Sequence, residues 1–150
     1  MLTNGEDFIM GRKQFLVGLL ISAFIVGVCG CAALQRGPSD EELVRQTLVQ
    51  WKAGMENHDL DVMMATISED FVSDEGGGKA DFRAFLRRHI EEGTLSGARM
   101  DLESAMIAIE DDMATVENAG LSGDRGSVVL DMELKKEADG VWRIVGLHAY

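Results

Sequence analysis

The sequence predicts an α+β domain in which three helices come first and an antiparallel sheet follows. Three observations predict it. From residue 40 to about 91 the apolar residues recur with a helical period of about 3.6. After Gly97 the period changes to two, as in half-buried strands. The strand-like runs are joined by short polar turns such as Ala138-Asp139-Gly140, too short for parallel crossovers. At 150 residues there is room for one ordinary domain, and 46% hydrophobic residues can fill its core. No long repeat is present, which excludes a solenoid.

The chain opens with an address. The basic stub Gly11-Arg12-Lys13-Gln14 precedes an apolar run over 15–28 and then small residues, the pattern of a secretory signal peptide. The run is shorter than the ~20 residues a membrane span needs. Val28-Cys29-Gly30-Cys31 resembles a bacterial lipobox. The resemblance implies cleavage before Cys31, a diacylglyceryl group on its sulfur and an acyl chain such as palmitate on the new amine. Several chains together anchor stably, at ~0.8 kcal/mol per buried CH₂. The competing readings are an uncleaved anchor and a Cys29–Cys31 disulfide. Ala32 after the cysteine implies the outer membrane if the cell has one, and otherwise the outer face of the plasma membrane. Met10 is an alternative start that would remove Glu6 and Asp7 from the leader. The expected division is 1–30 signal peptide, 31–38 lipidated tether and 39–150 folded domain.

The folded part begins at Pro38-Ser39. Ser39 and Glu42 form the S-x-x-E pattern of a capping box, and Asp40 and Glu41 suit the positive end of a helix. Val44, Leu48, Trp51 and Met55 then make a stripe, so a helix is expected over about 40–56. Asn57-His58-Asp59 breaks it, and Asp59 can cap a second helix whose Leu60, Met63, Met64 and Ile67 share a face with Phe71. A glycine-rich loop over 73–79 leads to a third helix over about 80–91. It buries Phe82, Phe85, Leu86 and His89, and Gly93 ends it. Met100, Leu102, Met106 and Ala108 are expected on one face of the first strand. A second strand covers about 113–121. In the third, Val128, Leu130, Met132 and Leu134 alternate with Val129, Asp131, Glu133 and Lys135. The last covers 141–148.

The order of these motifs resembles the nuclear transport factor 2-like superfamily, SnoaL-like branch. The residues that carry the resemblance are Asp59-Leu60-Asp61, Met63-Met64-Ala65, Ser68-Glu69-Asp70-Phe71 and Asp139-Gly140-Val141-Trp142-Arg143-Ile144-Val145. It covers about 40–148. It implies a cone-shaped, cystatin-like roll: three helices in the concave face of a curved antiparallel sheet, with an apolar cavity open at one end. It also implies a homodimer through the outer sheet face. Counted forward from Asp59-Leu60-Asp61, the general base of the family's isomerases falls near Asp74 or Glu75. Counted backward, their oxyanion tyrosine falls at Trp51, which cannot titrate.

Function is less legible than shape. Acidic residues number 26 against 14 basic ones, a net charge of −12, which argues against nucleic acid. Gly76-Gly77-Gly78-Lys79 continues with alanine and is not a phosphate loop. His89 and Glu91 have no cysteine partners for zinc, so no metal and no cofactor is implied. His148 shares strand parity with Trp142 and Ile144, which places it at the cavity mouth as a proton carrier if that face is the inner one. The catalytic candidates are Asp74, Glu75 and His148. The pocket candidates are Trp51, Met55, Met63, Phe71, Phe85, His89, Met106, Met132 and Trp142. The reading favoured is a lipid-anchored domain of the cell envelope that binds a small apolar ligand or a protein partner without catalysis. The alternatives are a small-molecule isomerase, cyclase or dehydratase, and a purely structural protein with a filled cone.

Overall fold

The computed structural model describes residues 37–150 apart from Glu75. The leader, Cys31 and most of the tether lie outside the described residues. Residues Pro38–Tyr150 form one compact unit.

Helix α1 spans Asp40–Asn57 and starts on the expected capping box: the Glu42 carboxylate accepts the Ser39 amide at 2.7 Å, and Ser39 Oγ accepts the Glu42 amide at 3.3 Å. It ends at His58, in the left-handed region with φ 56°. Helix α2 is one short turn, Leu60–Ala65, capped by Asp59 Oδ1, which accepts the Asp61 and Val62 amides at 3.1 Å each. Gly54 lets the two helices touch. A Cβ there would lie 2.6 Å from Met63 Cγ and 2.8 Å from the Met63 nitrogen.

The second helix is shorter than the apolar pattern suggested. Ile67 and Phe71 are buried from a non-helical segment with a turn at Glu69-Asp70 instead. This segment runs along the last strand: the Ser68 amide donates to the Ile144 carbonyl at 2.9 Å and the Val72 amide to the Val145 carbonyl at 3.0 Å. It covers what would otherwise be an open sheet edge. Helix α3, Lys79–Glu91, buries Phe82 and Leu86, while Phe85 stays 44% exposed.

The strands are β1 (Arg99–Asp101), β2 (Met106–Glu110), β3 (Met113–Gly123), β4 (Gly126–Lys136) and β5 (Trp142–Ala149). All pairings are antiparallel, in the order β1-β3-β4-β5, with β2 also on β3. Two bulges bend the sheet. In β3, Glu117 and Asn118 together face Asp131, whose Oδ1 accepts the Asn118 amide at 2.9 Å; Asn118 has φ 62°. In β5, Val145 is the extra residue between the pairs Leu134↔Ile144 and Glu133↔Gly146.

These irregularities correct two expectations. The first strand is interrupted at 102–105, where Asp101 Oδ1 accepts the Glu103 amide at 2.8 Å. Parity reverses across the break. Met100 is buried, but Met106 is 56% exposed and Ile107 and Ile109 pack on the core instead. The Val145 bulge likewise turns Leu147 inward, so His148 no longer shares the face of Trp142 and Ile144.

Candidate functional site

Side-chain size along the inner face decides where the domain is full and where it is hollow. At one end the inward positions are large: Val116, Met132, Leu134, Trp142 and Ile144 are all essentially inaccessible. Toward the β3–β4 turn they shrink, from Leu130 through Val128 to Gly126, from Leu121 to Gly123, and from Leu147 to Ala149. Dense packing needs every volume filled. Here a cavity of about 430 Å³ remains, within the range of small-molecule sites.

Its helical wall is aromatic. Trp51 and Met55 come from α1, and Phe82, Phe85, Leu86 and His89 from α3. Phe82 stacks on Phe71 at 4.7 Å, on Trp51 at 6.0 Å and on Phe85 at 6.1 Å, and Phe85 meets His89 at 4.1 Å. Leu95 and Ala98 complete the wall beneath β1. His58 Nε2 lies 2.8 Å from the Leu95 carbonyl and ties the end of α1 to this segment. Exposed Arg125, Ser127 and Ala149 mark the rim. Among the described residues no Asp or Glu lines the cavity. Two buried polar atoms of its walls, Trp51 Nε1 and His89 Nδ1, have no hydrogen-bond partner. Such orphans cost about 1–3 kcal/mol each.

The polar chemistry with shifted ionisation lies elsewhere. Asp40 accepts from Lys136 Nζ at 2.6 Å and from Trp142 Nε1 at 3.2 Å, and these bonds hold its carboxyl below the ordinary range. The Ser39 amide does the same for Glu42. Asp139 is lowered by its bonds from Arg143, whose own pKa is raised in turn. Ser68 Oγ donates to Glu137 at 2.7 Å, and Glu137 accepts from Arg143 at 2.5 Å. These groups fasten the filled end.

The sequence-predicted residues divide accordingly. Trp51, Met55, Phe85 and His89 line the cavity. Met63, Phe71, Met132 and Trp142 are buried in the solid core instead, and Met106 faces out. Asp74 and His148 are brought into contact, Oδ1 to Nδ1, but both are solvent-accessible and neither lines the cavity. Glu75 lies outside the described residues. Sequence reasoning missed Leu95, Leu121, Arg125 and Leu147. The shrinking inward residues near the β3–β4 turn were the available signal. No group of acidic, cysteine or histidine side chains among the described residues could hold a metal. Among them, too, no helix is long and apolar enough to cross a membrane.

Three helices held in a curved antiparallel sheet, with an apolar cavity at one end, define a cystatin-like α+β roll. The chain belongs to the SnoaL-like domain family, whose model matches residues 44–149. No curated protein matches it at the level of sequence. Solved structures do. A cystatin-like protein of unknown function from Nostoc punctiforme PCC 73102 is similar at TM-score 0.60 and 17% identity, over 76% of this chain and 93% of the other. A nuclear transport factor 2-like protein of unknown function from Pseudomonas putida KT2440 matches at TM-score 0.57 and 16% identity, over 71% and 82%. A protein from Shewanella frigidimarina NCIMB 400 named as a candidate ketosteroid isomerase matches at 0.59 and 17%, over 72% and 94%. At these identities the likeness is one of fold.

Proposed function

We propose that this domain holds a small apolar ligand in its cavity and does not transform it. The observation that carries the reading is an apolar cavity of about 430 Å³ with no described carboxylate on its wall. Acid–base catalysis would need proton-transferring groups at the ligand, and the described lining offers one imidazole, His89, with no carboxylate beside it. The described candidates, Asp74 and His148, pair with each other on the outside. The lipobox-like Val28-Cys29-Gly30-Cys31 supports a location in the cell envelope, anchored through acylated Cys31. Exposed Met106, Met113 and Val129 on the outer sheet face support pairing with a second copy of the chain there.

Native mass spectrometry of the gently purified chain tests the reading. The expected spectrum contains a co-purified apolar molecule that is lost on denaturation, and the same spectrum reports the oligomeric state. A ligand-free protein that also fails to take up added 1-decanol contradicts it.

A further inference from the structure

The basic side chains are distributed in a way that the overall charge hides. Seven of those in the described residues form ion pairs: Arg45, Lys52, Lys79, Arg83, Lys135, Lys136 and Arg143. The other four, Arg87, Arg88, Arg99 and Arg125, pair with no described carboxylate, and all four belong to the elements around the cavity. Arg87 and Arg88 flank Leu86 and His89, which line it. Arg99 is in register with Ser122 of the lining. Arg125 itself lines the rim.

Arg125 Nη2 donates to the Glu92 carbonyl at 3.3 Å and Arg99 Nη1 to the Ala98 carbonyl at 2.7 Å. A guanidinium carries five N–H donors, so most remain free. Part of this charge answers the negative end of α3. Glu91, Glu92 and Asp124 lie on the same segments, yet they are exposed and none lines the cavity. Phe85 and Val128, 44% and 39% exposed, extend the apolar wall out to the rim. An apolar interior, with His89 in its helical wall, thus ends at a rim whose one lining guanidinium, Arg125, pairs with no described carboxylate.

We infer that the ligand is an anionic amphiphile, with its chain in the cavity and its carboxylate or phosphate head on Arg125. This rests on the apolar-ligand reading above and specifies one end of that ligand. Guanidinium suits both head groups because its N–H pairs match two acceptor oxygens at once. A chain with an uncharged end would leave the arginine no better paired than before.

The test is a titration of the full chain with 1-decanol, decanoate and decyl phosphate, read by tryptophan fluorescence, in which Trp51 lies in the cavity wall and Trp142 in the filled core gives a constant background. Decanoate, decyl phosphate or both are expected to bind about tenfold tighter than decanol, the size of one charge-assisted hydrogen bond. Which acid binds better tells a free carboxylate from a phospholipid-type head. In Arg125→Gln the ratio of acid to alcohol affinity falls to about one, and in Arg88→Gln it falls less. Equal binding of acids and alcohol, or a ratio that survives Arg125→Gln, overturns the head-group inference and leaves the apolar site standing. No binding of any of the three overturns the apolar site, and the head-group inference with it.

Discussion

Trp142, packed against α1, and Trp51, on α1 itself, are both fully buried and in opposite chemical circumstances. Trp142 donates its indole N–H to Asp40, and its carbonyl accepts the Thr47 hydroxyl at 2.8 Å. Around it the polar groups are paired and the volumes filled. Trp51 has an unpaired indole N–H and a cavity at its side. With the proposed ligand in the cavity, one small fold separates two tasks. Near Trp142, burial and satisfied hydrogen bonds hold the roll together. Near Trp51, packing is left incomplete, and the same aromatic surface that would stabilise a core becomes available to a ligand. Sites of function are where a fold departs from its own packing rules.

The contrast is sharpened most by removing one tryptophan. Trp142→Ala is expected to cost about 3–5 kcal/mol of stability, as for other large aromatics removed from a core, in urea unfolding. The fraction that remains folded should still bind. Gly54→Ala forces a Cβ against Met63 and is expected to cost about 1–3 kcal/mol through overpacking, again by urea unfolding. Val128→Trp acts at the other end. It should fill the rim and weaken decanol binding by about tenfold or more, while stability moves by only about 0.5 kcal/mol, as for surface changes.

Acid should act on the filled end first. Asp40, Glu42 and Asp139 have carboxyl pKa values lowered by their hydrogen bonds in the folded state. As pH falls below the ordinary carboxylate range the unfolded chain takes up these protons before the folded one does. The stability they contribute is therefore present at neutral pH and is lost as pH drops through the lowered values. Asp40→Asn should flatten that part of a stability-against-pH curve. The smallest effect is expected from Asp74→Ala and His148→Ala, an exposed pair outside the cavity. Each should change stability by no more than about 0.5 kcal/mol and leave decanol affinity unaltered. A loss of binding in either would place this pair at the ligand after all.

Much of the fold was legible because its signals are local. The S-x-x-E cap and the Val44-Leu48-Trp51-Met55 stripe mark α1, and β4 alternates without interruption from Val128 to Leu134. Phase was the hidden quantity. Three short irregularities, at 102–105, at Asn118 and at Val145, each reverse the face that follows. A period of two carries no memory across such a break. This is why Met106 and His148 were expected inside. Asn118, in the left-handed region, was the one break with a readable chemical cause. The aromatic wall could be read from helix periodicity. On the cavity's sheet side only β4 could be read, because Leu121 and Leu147 turn inward only after the bulges in β3 and β5.

The central claim is that the hollow end, and only that end, receives a ligand. Amide NMR of the chain during titration with 1-decanol tests it most directly. The account predicts shifts at Leu86, Leu95, Leu121, Val128 and Leu147, with Asp40, Thr47, Glu137 and Trp142 unmoved. Saturating decanol with no shifts, or shifts centred on outer-face Met113, Glu133 and His148, would contradict it.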